Sequence, residues 1–114
     1  MDYSQLSDFE INKRVFKAIV GAKPLGYPHN ADGRSVGNEA NGNYRWYDYC
    51  NNPADAWPII TENNISIILD NPSMPCATDN ARGLFDDAGP NVGVAYDNPL
   101  RAAMIVFLMM QRIQ

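Results

Sequence analysis

Two helix starts of the same design bound what this chain can become. Cys50-Asn51-Asn52-Pro53-Ala54-Asp55-Ala56-Trp57-Pro58 and Tyr96-Asp97-Asn98-Pro99-Leu100-Arg101-Ala102-Ala103-Met104 each set an Asn directly before a Pro. The Asn side chain accepts hydrogen bonds from the amides that a first helical turn leaves unpaired, and Pro at the first helical position has no amide to lose. A third start lies near the beginning. Ser7 reads as an N-cap with Glu10 three residues on, a capping box, and Leu6 with Ile11 supplies the hydrophobic staple. Ile11, Val15, Ala18 and Ile19 then fall on one face, and Gly21 and Pro24 close the helix.

Helix two is expected from Pro53 to about Asn63, with Ala56, Ile59 and Ile60 as its apolar face, Trp57 placed with them in the core, and Pro58 as a kink. Helix three runs from Pro99 to about Arg112 and is apolar on nearly every side. Such a helix is buried centrally or lies at a subunit interface, and we expect a homodimer formed through it or its neighbouring strand. Between the helices, Ile65–Leu69 is β-branched enough for a strand, Cys76–Thr78 and Leu84–Phe85 read as short strands, and Val92, Val94 and Tyr96 alternate as a last one. The fold class is therefore α+β: one small antiparallel sheet of three to four strands packed with three helices, close to a helix–sheet–helix sandwich, with residues 1–114 forming a single domain.

Residues 21–50 stand apart. They hold five glycines, four asparagines and two prolines with few aliphatics, a length of irregular chain that is usually functional or disordered. The run Tyr44-Arg45-Trp46-Tyr47-Asp48-Tyr49 alternates like a strand with one polar and one aromatic face. As a strand it would send Arg45 and Trp46 to opposite sides; as a loop it would let them converge. Flat rings stack on bases or side chains, and an arginine fork pairs with phosphate or carboxylate. Tyr27, Arg34, Asn43, Tyr44, Arg45, Trp46 and Tyr47 are thus the candidate ligand-binding residues, weighed against core filling by Trp46 with solvated arginines. Arg101 joins them, because a cation in the first turn of a helix opposes the helix dipole and asks for a ligand or a carboxylate, Asp97 being the nearest in sequence.

Composition narrows the function. Nine Lys and Arg against thirteen Asp and Glu give a net charge of −4, which lacks the electrostatic footprint of a general nucleic-acid binder. Two cysteines far apart and one histidine make a zinc site improbable on spacing, and Asp79, Asp86 and Asp87 match no calcium loop. No metal and no cofactor is expected. No GxSxG, HExxH, P-loop or GxGxxG is present, and a Cys–His nucleophile would have to use His29, so we expect no enzyme. The first twenty residues are polar and charged, unlike a secretory leader, and the apolar run Ala102–Met110 is about half of a membrane span, so we expect a protein of the cytoplasm that does not engage the membrane.

The opening Met1–Arg14, with residues 48–69 and 96–111, closely resembles the NinX family of small lambdoid-phage proteins. The resemblance implies a phage accessory protein acting in the host cytoplasm and carries no established activity. Its chemistry and context together lead to an expectation of non-enzymatic binding: a small nucleotide-like molecule, a host antiphage immune signal among the candidates, held by residues 27–49 and the helix ends and so sequestered. The alternative is a protein-interaction module for a host or phage protein of DNA metabolism or defence.

Overall fold

The structure, a computed structural model, describes residues 2–21, 33–40, 43–84 and 92–113. Helix α1 spans Asp8–Val20. Ser7 caps it, its hydroxyl accepting from the Glu10 amide at 3.2 Å. The Glu10 carboxylate does not return to the cap; it pairs with Arg14 at 2.8 Å and Lys13 at 3.6 Å, so only half of the capping box forms. Gly21 ends α1 with φ 77°, a left-handed conformation that suits glycine, and donates to the Lys17 carbonyl at 2.8 Å. The buried face is Ile11, Asn12, Val15 and Phe16 rather than the stripe ending in Ala18 and Ile19. Ile19 is 48% exposed, because the last turn of α1 runs past the core.

Two strands follow. β1, Val36–Ala40, and β2, Asn43–Tyr47, pair antiparallel with Val36 opposite Tyr47 and Gly37 opposite Trp46. The Tyr44–Tyr49 run is therefore mostly strand, and its partner β1 lies inside the stretch expected to be irregular. Helix α2 spans Pro53–Glu62, capped by Asn52, whose side chain accepts from the Ala54 amide at 3.0 Å. It buries Ala56, Ile59 and Ile60. Trp57 does not join them. It lies about 100° round the helix from Ala56 and is 61% exposed, a correction to its expected core position.

β3 (Ser66–Ile68), β4 (Cys76–Thr78) and β5 (Gly93–Ala95) form a separate antiparallel sheet in the order β3-β4-β5. The strands thus divide into a two-stranded and a three-stranded sheet instead of gathering into one. Ala81–Leu84 is a short 3-10 turn, not a strand, and Phe85 lies outside the described residues. Helix α3 spans Pro99–Ile113 and packs against α1, α2 and all three strands of the β3-β4-β5 sheet. Arg101 through Leu108 are buried within the single chain. That coverage meets the needs of an all-round apolar helix, so α3 itself supplies no reason for a dimer. The structure is α+β, with α3 at its centre.

Candidate functional site: a polar junction between two clefts

The residues that begin the three helices meet. Asn12 is fully buried on α1. Its Nδ2 donates to Asp48 Oδ1 at 2.9 Å and to the Arg34 carbonyl at 3.1 Å, while its Oδ1 accepts from the Cys50 amide at 3.1 Å. Asp48 also accepts from Asn51 Nδ2 on both oxygens at 3.1 Å, and Arg34 Nε lies 3.3 Å from its Oδ2. Asn51 Nδ2 reaches Asp8 Oδ2 at 3.0 Å. Asn98, whose Oδ1 accepts from the Leu100 and Arg101 amides, turns its Nδ2 to the Cys50 carbonyl at 2.8 Å and to Asn51 Oδ1 at 3.1 Å. The two Asn-Pro starts are therefore neighbours, and the side chain that caps α3 also ties it to the turn before α2.

Arg101 completes this junction. It is buried, with Nη1 on Asp8 Oδ1 at 2.6 Å, Nη2 donating to the Leu6 carbonyl at 2.6 Å and the Ser4 carbonyl at 3.3 Å, and its guanidinium 4.9 Å above the Tyr96 ring. Its carboxylate partner is Asp8, not the exposed Asp97, because α1 packs across the start of α3 and brings Asp8 alongside. Arg101 lines neither of the clefts described below. Cys50 sits in the same place, fully buried. Burial, and after it the Asp8 carboxylate, pushes its thiol well above the usual range. His29 lies outside the described residues. Among the described residues no group of three His, Cys, Asp or Glu stands together to hold a metal ion.

Two clefts open on either side of β2, and they part the sequence candidates as strand geometry requires. The first, about 490 Å³, is walled by Arg45, Tyr47 and Tyr49, by Asp55 and Glu62 of α2 with Asn63 just beyond its end, and by Gln111 at the far end of α3. Its floor is apolar, with Ile59 and Phe107. The Arg45 guanidinium lies 5.0 Å over the Tyr47 ring, and Tyr47 stacks on Tyr49 with centroids 5.6 Å apart and planes 10° from parallel. Burial pushes the Tyr49 hydroxyl above its usual range, so it remains a hydrogen-bond donor.

The second cleft, about 400 Å³, has Trp46 and Arg34 with Asp48, Asn51, Asn52 and Asp55. The Trp46 ring packs against Gly37 of β1. A Cβ placed on Gly37 would come within 2.8 Å of Trp46 Cζ3, so glycine opposite it is what lets the indole settle there. Asp55 borders both clefts, and its Oδ2 accepts from the Asp48 amide at 3.0 Å. Arg45 and Trp46 accordingly do not share a pocket; Arg45 lies over Tyr47 in the first, and Trp46 lines the second together with Arg34. Tyr27 lies outside the described residues, and Asn43 and Tyr44 are placed on β2 by their backbone, opposite Ala40 and Glu39.

Sequence reasoning did not single out Tyr49, Asp55, Glu62, Asn63 or Gln111 as one wall. Asp55 reads in sequence as a helix-start acid, and Glu62, Asn63 and Gln111 as the ends of two helices. Only the packing of α2 against α3 brings them beside β2. No described helix is long and apolar enough to cross a membrane.

Comparison with curated proteins and with solved structures gives no match. A family model described as bacteriophage P22, NinX, matches residues 2–111, a span that includes all three helix starts and the junction joining them. The chain belongs to the phage P22 NinX family.

Proposed function

We propose that this phage accessory protein binds a small nucleotide-like molecule in the cleft beside Arg45 and withholds it from its target. The observation that carries the reading is the gathering of Arg45, Tyr47 and Tyr49 against α2 around a space of about 490 Å³, within the range of small-ligand sites. Arg45 already lies over Tyr47, so its guanidinium is held in place for a phosphate to pair with. Asp55, Asn63 and Gln111 add hydrogen-bonding groups around an apolar floor. Sequestration asks only for affinity and abundance, and no catalytic step belongs to this reading. Host immune nucleotides are ligands of the right class.

Calorimetric titration with cyclic and ADP-ribose-type nucleotides tests it. Arg45→Ala should weaken a ligand roughly tenfold or more, the scale of one lost charge-assisted hydrogen bond. The fold should survive, because Arg45 is exposed. A panel in which nothing binds the wild type ends this reading.

A second reading rests on a different observation. Trp57 is 61% exposed beside a groove of about 500 Å³ that includes Ile60, Ile65 and Ile67. Exposed tryptophans next to apolar grooves are the residue type that dominates protein contacts. Under this reading the partner is a protein of DNA metabolism or defence, its capture is lost in Trp57→Ala, and Arg45→Ala leaves it untouched.

A further inference from the structure

We propose that the outer edge of β3, with the groove beside Trp57, takes up an extended peptide bearing lysine or arginine, which joins the three-stranded sheet as a further strand. This rests on the second reading above and adds the form and charge of the segment that is bound.

The edge follows from two backbone bonds. The Tyr96 amide donates to the Pro75 carbonyl at 3.0 Å, and the Asp79 amide to the Val92 carbonyl at 3.3 Å. Between these two pairs lies Ala77, opposite Val94. Hydrogen-bonded pairs alternate along an antiparallel ladder, so Ala77 turns its amide and carbonyl to β5, while Cys76 and Thr78 turn theirs to β3. Their partners there are Ile68 and Ser66. Ile67, between them, therefore turns its amide and carbonyl away from β4, and among the described residues neither has a backbone partner. Ile65, two residues earlier on the same edge, gives its amide to the Ile60 carbonyl at 3.0 Å. The end of α2 thus closes the edge at Ile65, and the described residues leave it open at Ile67. Open edges of this kind take up extended peptides by main-chain pairing.

The groove and its charge define the segment. About 500 Å³ of space lies between Trp57, Ile60 and Thr61 of α2 and the start of β3. A strand paired with Ile67 would run about 4.8 Å from β3, beside the exposed Trp57 ring. From Trp46 to Ala81 the chain carries Asp48, Asp55, Glu62, Asp70 and Asp79 and no Lys, Arg or His. Glu62 ends α2, Asp70 follows β3 by two residues, and both are exposed. The stretch that forms both walls therefore has carboxylates and no cation, which favours a basic segment with apolar residues between its charges. A second copy of this chain, pairing β3 with β3, would instead bring two acidic walls together.

Fluorescence anisotropy of short, labelled, end-blocked peptides titrated with the full chain tests this. The peptides alternate lysine with valine, isoleucine or phenylalanine. One control set has glutamate for lysine, and another has alternate backbone nitrogens methylated, in each of the two registers. At least one lysine peptide should bind saturably, roughly tenfold or more tighter than its glutamate counterpart and than its methylated form in one register. Trp57→Ala should weaken it by roughly tenfold or more, and Arg45→Ala should leave it unchanged. No saturable binding by any lysine peptide, equal binding of the glutamate peptide, or indifference to methylation in both registers would overturn the inference. Binding unmoved by Trp57→Ala would also overturn it, as would sedimentation showing a dimer of the chain that Trp57→Ala dissolves. The second reading fails separately, if capture of a protein survives Trp57→Ala.

Discussion

Asn12 joins three stretches of chain that lie far apart in sequence, and it does so without contact with water. Removing its side chain would leave the buried Cys50 amide unpaired and Asp48 short of a donor. Asn12→Ala should therefore cost about 3 kcal/mol, the scale of a broken buried hydrogen-bond network. Chemical denaturation measures it, and a loss below about 1 kcal/mol would mean that water replaces the side chain. The two cysteines offer a second check. Cys50 is buried and Cys76 half-buried, so a thiol reagent near pH 8 should modify Cys76 in the native chain and Cys50 only on unfolding. Modification of both thiols at equal rates in the native state would contradict the burial. The raised Cys50 thiol and Tyr49 hydroxyl also set an alkaline limit. Their ordinary values are 9.0 and 10.0, and the folded chain holds both protons longer than the unfolded one. Their contribution is complete below pH 9 and is lost as pH rises from there, so stability should fall on the alkaline side, with a shallower fall between pH 9 and 10 in Cys50→Ala. None of this was legible in sequence. Asn12 follows Ile11 on a helix pattern, and its partners are fixed only when residues 34 and 48–50 pack upon it.

The helices were legible because their signals are local. Ser7, Asn52 and Asn98 each cap the helix they precede, and Gly21 closes α1. Ser7→Ala should lower stability by about 1 kcal/mol; an unchanged melting temperature would contradict the cap. The strands were less legible. β4 and the core of β3 and β5 follow their β-branched or alternating residues, but β1 reads Val-Gly-Asn-Glu-Ala and has little strand propensity of its own. It forms because β2 supplies a partner and because Gly37 admits the Trp46 ring. Gly37→Ala should displace that ring, costing about 1–3 kcal/mol as in other overpacked sites and shifting tryptophan fluorescence. A variant with unaltered stability and emission would show that the indole does not rest on Gly37. Trp57 was misplaced in sequence for a related reason. A ring adjacent to an apolar stripe is core only if a neighbour covers that flank, and on α2 none of the described residues does so enough to bury it.

At the scale of the molecule, α3 is the common wall. It meets α1, α2 and the three-stranded sheet, and its burial along Arg101–Leu108 shows why a helix without a polar face can belong to a single chain. The exposed large apolar side chains lie elsewhere, among them Trp57 and Leu69 at 61% and 67%. The candidate site was legible in its residue types and not in its grouping. Arg45, Trp46 and Tyr47 stand together in sequence, yet the pleat of β2 sends them to two clefts, and the wall opposite Arg45 comes from the ends of α2 and α3. The most direct test of the account maps amide and side-chain NMR shifts on titrating the protein with the same cyclic and ADP-ribose-type nucleotides. The account predicts saturable shifts at Tyr47, Tyr49, Asn63 and Gln111, with little change at Gly37 and the Trp46 indole. Shifts confined to Trp46 and Arg34, or none at any concentration, would contradict it.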